Sequence, residues 1–225
     1  MKNVTFLLPA YNEEKSIGDL LEDLKRLYPN SRILVVDNNS TDATSEIARR
    51  AGADVIFEKK QGKAHAVRTG FQNIDSEFVI MMDADNTYDP ADARKLIDHI
   101  LKTKSDVVMG SRLRGDSEAG AISKLNTLGN FILSLTVSIL YSKISDLCTG
   151  YWAFRRKVVD YLLEVGLDST NFELEAEMFI KVSKGNFKIS EVPITYRCRG
   201  DESKLNSLED GWKIFKTLWI YKIKS

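Results

Sequence analysis

The sequence predicts an α/β fold: a doubly wound, mainly parallel sheet with flanking helices. Three observations predict it. Short apolar runs alternate with stretches of helical periodicity through the first half of the chain. The best-defined run, Phe78-Val79-Ile80-Met81-Met82, is apolar on both faces, as a strand covered from both sides must be. The runs end in polar clusters, Pro9-Ala10-Tyr11-Asn12-Glu13, Asp37-Asn38-Asn39-Ser40 and Asp83-Ala84-Asp85, at the edge where open α/β sheets bind ligands.

Taken in order, residues 4–8 read as a buried strand stopped by Pro9. Residues 13–27 carry Ile17, Leu20, Leu21, Leu24 and Leu27 at helical spacing. A second strand, 32–36, ends in Asp37. The turn after it offers Ser40 or Thr41 as the cap of a helix reaching Arg50. A third strand covers 54–57, and Gly62 opens a helix to about Asn73. The Phe78 strand, a helix over 90–102 and a strand over 106–110 follow. Beyond this the pattern is less regular. Residues 125–142 contain no charged side chain, residues 151–154 form a candidate strand, and residues 172–183 a helix. Strands are expected at 187–189 and 192–196. Glu173, Glu175 and Glu177 fall in the first half of their helix, where the dipole favours acids; Glu173 and Glu175 could look like catalytic bases but read as capping and solubility residues.

The chain of 225 residues is expected to form one domain over 1–225: a first half to 118, a second over 119–204, and an amphipathic tail helix over 205–225. Its 32 basic and 32 acidic residues imply no nucleic-acid partner. Cys148 and Cys198, the only cysteines, fit a reducing compartment and no metal finger. The start reads as a strand rather than a signal peptide. The absence of about 20 uninterrupted apolar residues predicts no transmembrane helix. His65 and His99 read as surface or packed residues, not ligands.

Asp-X-Asp at the end of a buried strand suggests a site for Mg²⁺ or Mn²⁺ gripping a diphosphate; the plain alternative is a turn aspartate and a helix cap. A carboxylate accepting two hydrogen bonds suits a base imino group or ribose hydroxyls, and a tyrosine ring can stack on a base. Any one cluster is ordinary turn chemistry. Three at consecutive strand ends point to a nucleotide cleft.

The motifs PAYNEE, VVDNNSTDAT, MMDADNTYDP and MGSRL resemble those of the family 2 inverting glycosyltransferases of GT-A fold. DLCTGYWAFRRKV and EVPITYRCRGDESKLN look like the polyprenyl-phosphate branch, such as dolichol-phosphate mannose or glucose synthases. The resemblance covers nearly the whole chain in order. It implies a nucleotide-sugar site of Pro9, Tyr11, Glu13, Asp37, Lys63, Asp83, Ala84 and Asp85, with Asp83 and Asp85 as metal ligands. It places Arg112, Lys124, Thr127 and Ser203 on the acceptor phosphate, and Asp85, Arg112, Arg199 and Lys204 in catalysis. It also implies a nucleotide-sugar donor and a polyprenyl (dolichyl) phosphate acceptor. The chain departs from the pattern at Asn38, where many relatives have a second aspartate; at Thr87, where mannose synthases often have glutamine; and at Ser123-Lys124, where an arginine is expected.

A phosphate acceptor is already anionic and needs no general base, unlike an alcohol. A lipid-borne acceptor requires the membrane surface. Residues 125–142 would span roughly 27 Å as a helix. Their hydroxyls and Asn126 and Asn130 favour an interfacial helix over a spanning one. In the tail, Trp212, Phe215, Trp219 and Tyr221 interleave with Lys213, Lys216, Lys222 and Lys224, the composition of an interface anchor. The expected location is therefore cytoplasmic, peripheral to the cytoplasmic face of a membrane. A homo-oligomer stays open, as do acceptance by a sugar or protein hydroxyl and a non-catalytic surface module of the same fold.

Overall fold

A computed structural model describes residues 3–198 and 207–223. Arg199, Ser203 and Lys204 lie outside the described residues. The first half follows the expected alternation: β1 (Val4–Ala10), α1 (Ile17–Leu27), β2 (Arg32–Asp37), α2 (Thr44–Arg50), β3 (Asp54–Phe57), α3 (Lys63–Gln72) and β4 (Phe78–Met81). A 3₁₀ turn, Pro90–Asp92, leads into α4 (Ala93–Thr103), then β5 (Val107–Ser111). The remainder is α5 (Lys124–Leu140), β6 (Trp152–Arg155), α6 (Arg156–Glu164), α7 (Leu174–Lys184), β7 (Ile189–Pro193) and α8 (Ser207–Ile223).

The sheet runs β3-β2-β1-β4-β6-β5-β7. All pairs are parallel except those of β6, which runs antiparallel to both β4 and β5. This reversal positions the site. The residues leading into β6 arrive at the edge where β4 and β5 end, so the loop over 146–151 faces Asp83 and Arg112. Successive residues of β1 serve opposite faces. Phe6 and Leu8 join one buried cluster with α1 and α4, and Leu7 joins the other with α3, α6 and α7. Each fully buried aliphatic side chain of this kind contributes about 1.5–3 kcal/mol.

Three expectations are corrected. Pro9 does not stop β1; it pairs in register with Val36. Its nitrogen shares the side of Leu7, whose carbonyl accepts from Met82 just past the end of β4, so the missing N–H forfeits no ladder bond. The first turn of α2 is satisfied by Asp42 rather than Ser40 or Thr41, its Oδ1 accepting from Thr44 N–H at 3.0 Å. The strands expected at 187–189 and 192–196 are one strand, β7, paired parallel to β5. Tyr196 makes only isolated bridges, to Tyr88 and Ser117.

The tail helix is not free of the domain. Ile214 and Leu218 are buried in the core, and Tyr141 donates its hydroxyl to the Leu218 carbonyl at 2.9 Å. Among the described residues no helix is long and apolar enough to cross a membrane.

Candidate functional site

Three strand-end turns build the edge of the site, and each has an asparagine in the left-handed region: Asn12, Asn39 and Asn86, with φ of 51°, 62° and 58°. Asparagine tolerates that conformation where most residues do not, so the chain can double back directly after a strand. The turns are cross-linked. Asn12 N–H donates to Ser40 Oγ at 3.0 Å, Thr41 N–H to Asn12 Oδ1 at 2.8 Å, and Glu13 N–H to Thr44 Oγ1 at 2.8 Å. Ser16 donates to both the Glu13 carboxylate and the Ala84 carbonyl. The expected convergence of Pro9–Glu13, Asp37–Ser40 and Asp83–Asp85 is thus visible as direct hydrogen bonds.

Asp37 is buried, its oxygens accepting from Ser40 N–H at 3.1 Å and Ser45 Oγ at 2.7 Å. Tyr11 is 36% exposed at the rim. Asn38 explains its departure from aspartate. Its amide donates to the Lys60 carbonyl at 2.7 Å while its Oδ1 accepts from Gly62 N–H at 2.7 Å. A carboxylate could not make the first bond. Gly62 itself, at φ 130°, lies so close to Thr170 that an added Cβ would be 2.3 Å from its carbonyl oxygen. Asn38 and Gly62 therefore fix the start of α3, and with it Lys63.

Lys63, Asp83, Asp85 and Arg112 line one cavity of about 450 Å³ with Tyr88, Glu175 and Tyr196. Lys63 Nζ lies 2.5 Å from Asp83 Oδ1 and 2.6 Å from Glu175 Oε1. Burial disfavours the ammonium, but the two carboxylates outweigh it and hold its pKa above the ordinary lysine value. Burial pushes the Glu175 carboxyl up, with Lys63 only partly offsetting it and Asp83 adding to it. Glu175 is thus a cavity residue, 5% exposed, which corrects the expectation of a solubility role. Glu173 behaves as expected. Its carboxylate accepts from Thr170 N–H at 2.9 Å and Asn171 N–H at 3.3 Å ahead of α7.

Across the cavity, Arg112 grips Asp146 in a bidentate pair, Nε to Oδ2 at 2.9 Å and Nη2 to Oδ1 at 2.7 Å. Asp146 also accepts from Asn130 Nδ2 at 2.6 Å. The Arg112 guanidinium lies 5.2 Å from the Tyr196 ring centroid. Tyr88 accepts from Gly150 N–H at 2.7 Å, and burial pushes its hydroxyl well above the usual tyrosine pKa.

Asp85 Oδ1 accepts from the hydroxyl of buried Thr87 at 2.6 Å and from its N–H at 3.2 Å. Thr87 therefore orients Asp85 instead of offering a further donor to the cavity. Among the described residues no group of three His, Cys, Asp or Glu side chains is placed to hold a metal. Two hard carboxylates beside a cavity nevertheless fit a Mg²⁺ or Mn²⁺ whose remaining ligands are diphosphate oxygens and water.

On α5, Ser123 caps the helix, accepting from Asn126 N–H at 3.1 Å. The cavity wall there is Ser123, Leu125, Asn126, Gly129, Asn130 and Leu133. Lys124 and Thr127 are exposed one step around the helix and are not among the lining residues. Sequence reasoning missed Asp146, Asn130, Gly150 and Tyr88. Asp146 and Gly150 lie in DLCTGYWAFRRKV and Tyr88 in MMDADNTYDP, but no role was read for them there.

A sequence model of glycosyl transferase family 2 matches residues 5–163. Among similar proteins, glycosyltransferase AglJ of Haloferax volcanii is 36% identical over 220 residues, 96% of this chain and 71% of that one. A dolichyl-phosphate hexose transferase of the same organism is 32% identical, covering 96% of this chain and 92% of its own. A dolichol-phosphate mannosyltransferase of Pyrococcus furiosus is 31% identical over 98% of this chain, which spans 63% of its length. The fold is that of the GT-A glycosyltransferases. Glucosyl-3-phosphoglycerate synthase from Mycobacterium tuberculosis, crystallised with Mn²⁺, uridine-diphosphate-glucose and phosphoglyceric acid, superimposes with a TM-score of 0.80 at 19% identity, covering 98% of this chain and 80% of that one.

Proposed function

The chain belongs to glycosyl transferase family 2, and on that premise we propose that it moves a hexose from a nucleotide-diphosphate sugar to a polyprenyl (dolichyl) phosphate at a membrane surface. The observation that carries this reading is continuity. The cavity that gathers Asp83, Asp85, Lys63 and Arg112 is walled by α5 and α8; the outer face of α5 is apolar, and that of α8 mixes exposed aromatics with lysines. On α5, Leu125, Leu128, Ile132, Leu135 and Ile139 are all at least 49% exposed and repeat at helical spacing. On α8, Trp212 and Trp219 are exposed. Leu125 belongs both to the cavity wall and to the exposed stripe. An apolar surface running into a charged pocket suits an acceptor with a lipid tail and an anionic head. The names of relatives that transfer hexose or mannose to dolichyl phosphate agree with it.

Each residue then has a task. Asp83 and Asp85 would hold a divalent cation, which when bound would offset charge on the leaving diphosphate. Arg112, held by Asp146, which Asn130 in turn holds, would present a preoriented cation to the acceptor phosphate. That phosphate is anionic at neutral pH and attacks the anomeric carbon without losing a proton, with inversion. Arg199, Ser203 and Lys204 are assigned to the same phosphates from the sequence resemblance. The apolar α5 face and the tryptophans and lysines of α8 would rest at the cytoplasmic surface of the bilayer.

One observation favours a hydroxyl acceptor instead: Glu175 lies in the cavity, where a general base would be needed. Its geometry weighs against this, because Lys63 Nζ lies 2.6 Å from Glu175 Oε1 and occupies the oxygen that an incoming hydroxyl would have to reach. The test is a panel of labelled nucleotide sugars incubated with the protein, Mg²⁺ or Mn²⁺, and vesicles containing dolichyl phosphate. Label transfers to lipid with one donor, and Asp85→Ala lowers the rate by about a thousandfold. Absence of labelled lipid with every donor, or undiminished labelling by Asp85→Ala, overturns the reading.

A further inference from the structure

Glu175 is buried at the first turn of α7, and Lys63 is its only ion-pair partner among the described residues. Lys63 in turn bridges Glu175 and Asp83, so two carboxylates share one ammonium. The three groups differ in freedom. Asp83 is confined by Gly150, where an added Cβ would be 2.5 Å from Oδ2 and 3.0 Å from Oδ1. The Lys63 backbone is fixed through the close Gly62–Thr170 approach and by Ala64 N–H donating to the Thr170 carbonyl at 3.2 Å. The four-carbon stem of Lys63 is the part that can move, and Glu175 lies within its reach wherever Asp83 is engaged.

We propose that Lys63 Nζ occupies the divalent cation's place on Asp83, that the cation enters by displacing it, and that Glu175 is the positioning residue that retains the displaced ammonium inside the cavity. The inference deepens the proposed function and rests on its metal-dependent donor site. An ammonium and a divalent cation at the same carboxylate oxygen repel one another, so only one is seated there at a time. Without Glu175, Lys63 would have Asp83 alone and would resist displacement. With it, the ammonium transfers from one carboxylate to the other and remains a cation beside the diphosphate.

The experiment is a double-mutant cycle read by electron paramagnetic resonance of free Mn²⁺ titrated with the full chain, without nucleotide. Lys63→Met binds Mn²⁺ on the order of tenfold tighter than the natural protein, because the competitor is gone. Glu175→Gln binds it on the order of tenfold more weakly, and the double variant returns to the level of Lys63→Met. A merely structural role for Glu175 gives the same loss in both backgrounds, which overturns the proposal. So does unchanged Mn²⁺ affinity in Lys63→Met, a result that stands even where Glu175→Gln does not fold, and so does a natural protein that binds no Mn²⁺. Lipid labelling is read separately. A coupled cycle without labelled lipid retains this inference and removes the acceptor reading, whereas labelled lipid with an additive cycle does the reverse.

Discussion

Glu175 and Glu177 stand two residues apart on α7 and face opposite sides of it, because successive helical residues turn by about 100°. Both are buried, and each has a lysine. Glu177 accepts from Asp168 N–H at 2.7 Å, Ser169 N–H at 2.8 Å, Lys181 Nζ at 2.6 Å and the Tyr221 hydroxyl at 2.7 Å. Burial works against its charge, but these donors outweigh burial and hold its pKa at about 2. Among the described residues Glu175 has one side-chain partner, Lys63, which it shares with Asp83, and burial pushes it up. The first carboxylate is saturated and ties α7 to α8. The second is under-bonded and open to a ligand. Two identical side chains on one helix differ in role because one is met by backbone N–H groups and the other by a cavity.

The largest expected effect that sharpens this contrast is on stability. Glu177→Ala strips Lys181 of its nearest carboxylate and frees the α8 anchor, destabilising the fold by about 3 kcal/mol. A melting point lower by roughly 6–12 °C checks it. A variant that melts with the natural protein would break the comparison.

The next effect is pH dependence. The depressed Glu177 pKa contributes stability that is fully present above the ordinary value of 4.5 and is lost as pH falls through it toward about 2. Chemical denaturation between neutral pH and pH 2 should show roughly 2 kcal/mol of acid-sensitive stability from this group that Glu177→Ala lacks. Equal slopes in the two proteins would remove the saturated-carboxylate account.

The smallest effect is expected at Glu175. Glu175→Gln shifts stability at neutral pH by less than about 1 kcal/mol, because removing an under-bonded buried charge relieves about as much as it forfeits. Urea midpoints check it. A loss as large as that of Glu177→Ala would make the two residues equivalent and end the contrast.

The sequence analysis recovered β1 to β5 and the helices between them because their signals are local: apolar runs, helical spacing, and turn residues at the joints. Asp83 and Asp85 were legible for the same reason, as an Asp-X-Asp just past a strand, whereas Arg112 came from the resemblance of MGSRL to the family's motif. Glu175 was misread because its place near a helix N-terminus is visible in sequence, whereas the side it faces is set by how α7 packs. Asp146 and Gly150 lay inside a quoted motif, but their use depends on the reversed direction of β6. Lys124 and Thr127 fell within one helical step of the wall that Asn126 and Asn130 form. Asn38 looked like a weakened base contact and is a clamp on the loop before α3.

By itself the sequence determined the family, the order of strands and helices, and the aspartates at the close of β4, since periodicity, turn chemistry and motif spacing reside in neighbouring residues. Tertiary structure alone decided that β6 runs backward, that Asp146 holds Arg112, and that Glu175 meets Lys63 over a separation of 112 residues. Such pairings depend on strand direction and helix rotation, which follow from the packing of the whole core and leave no periodic mark along the chain.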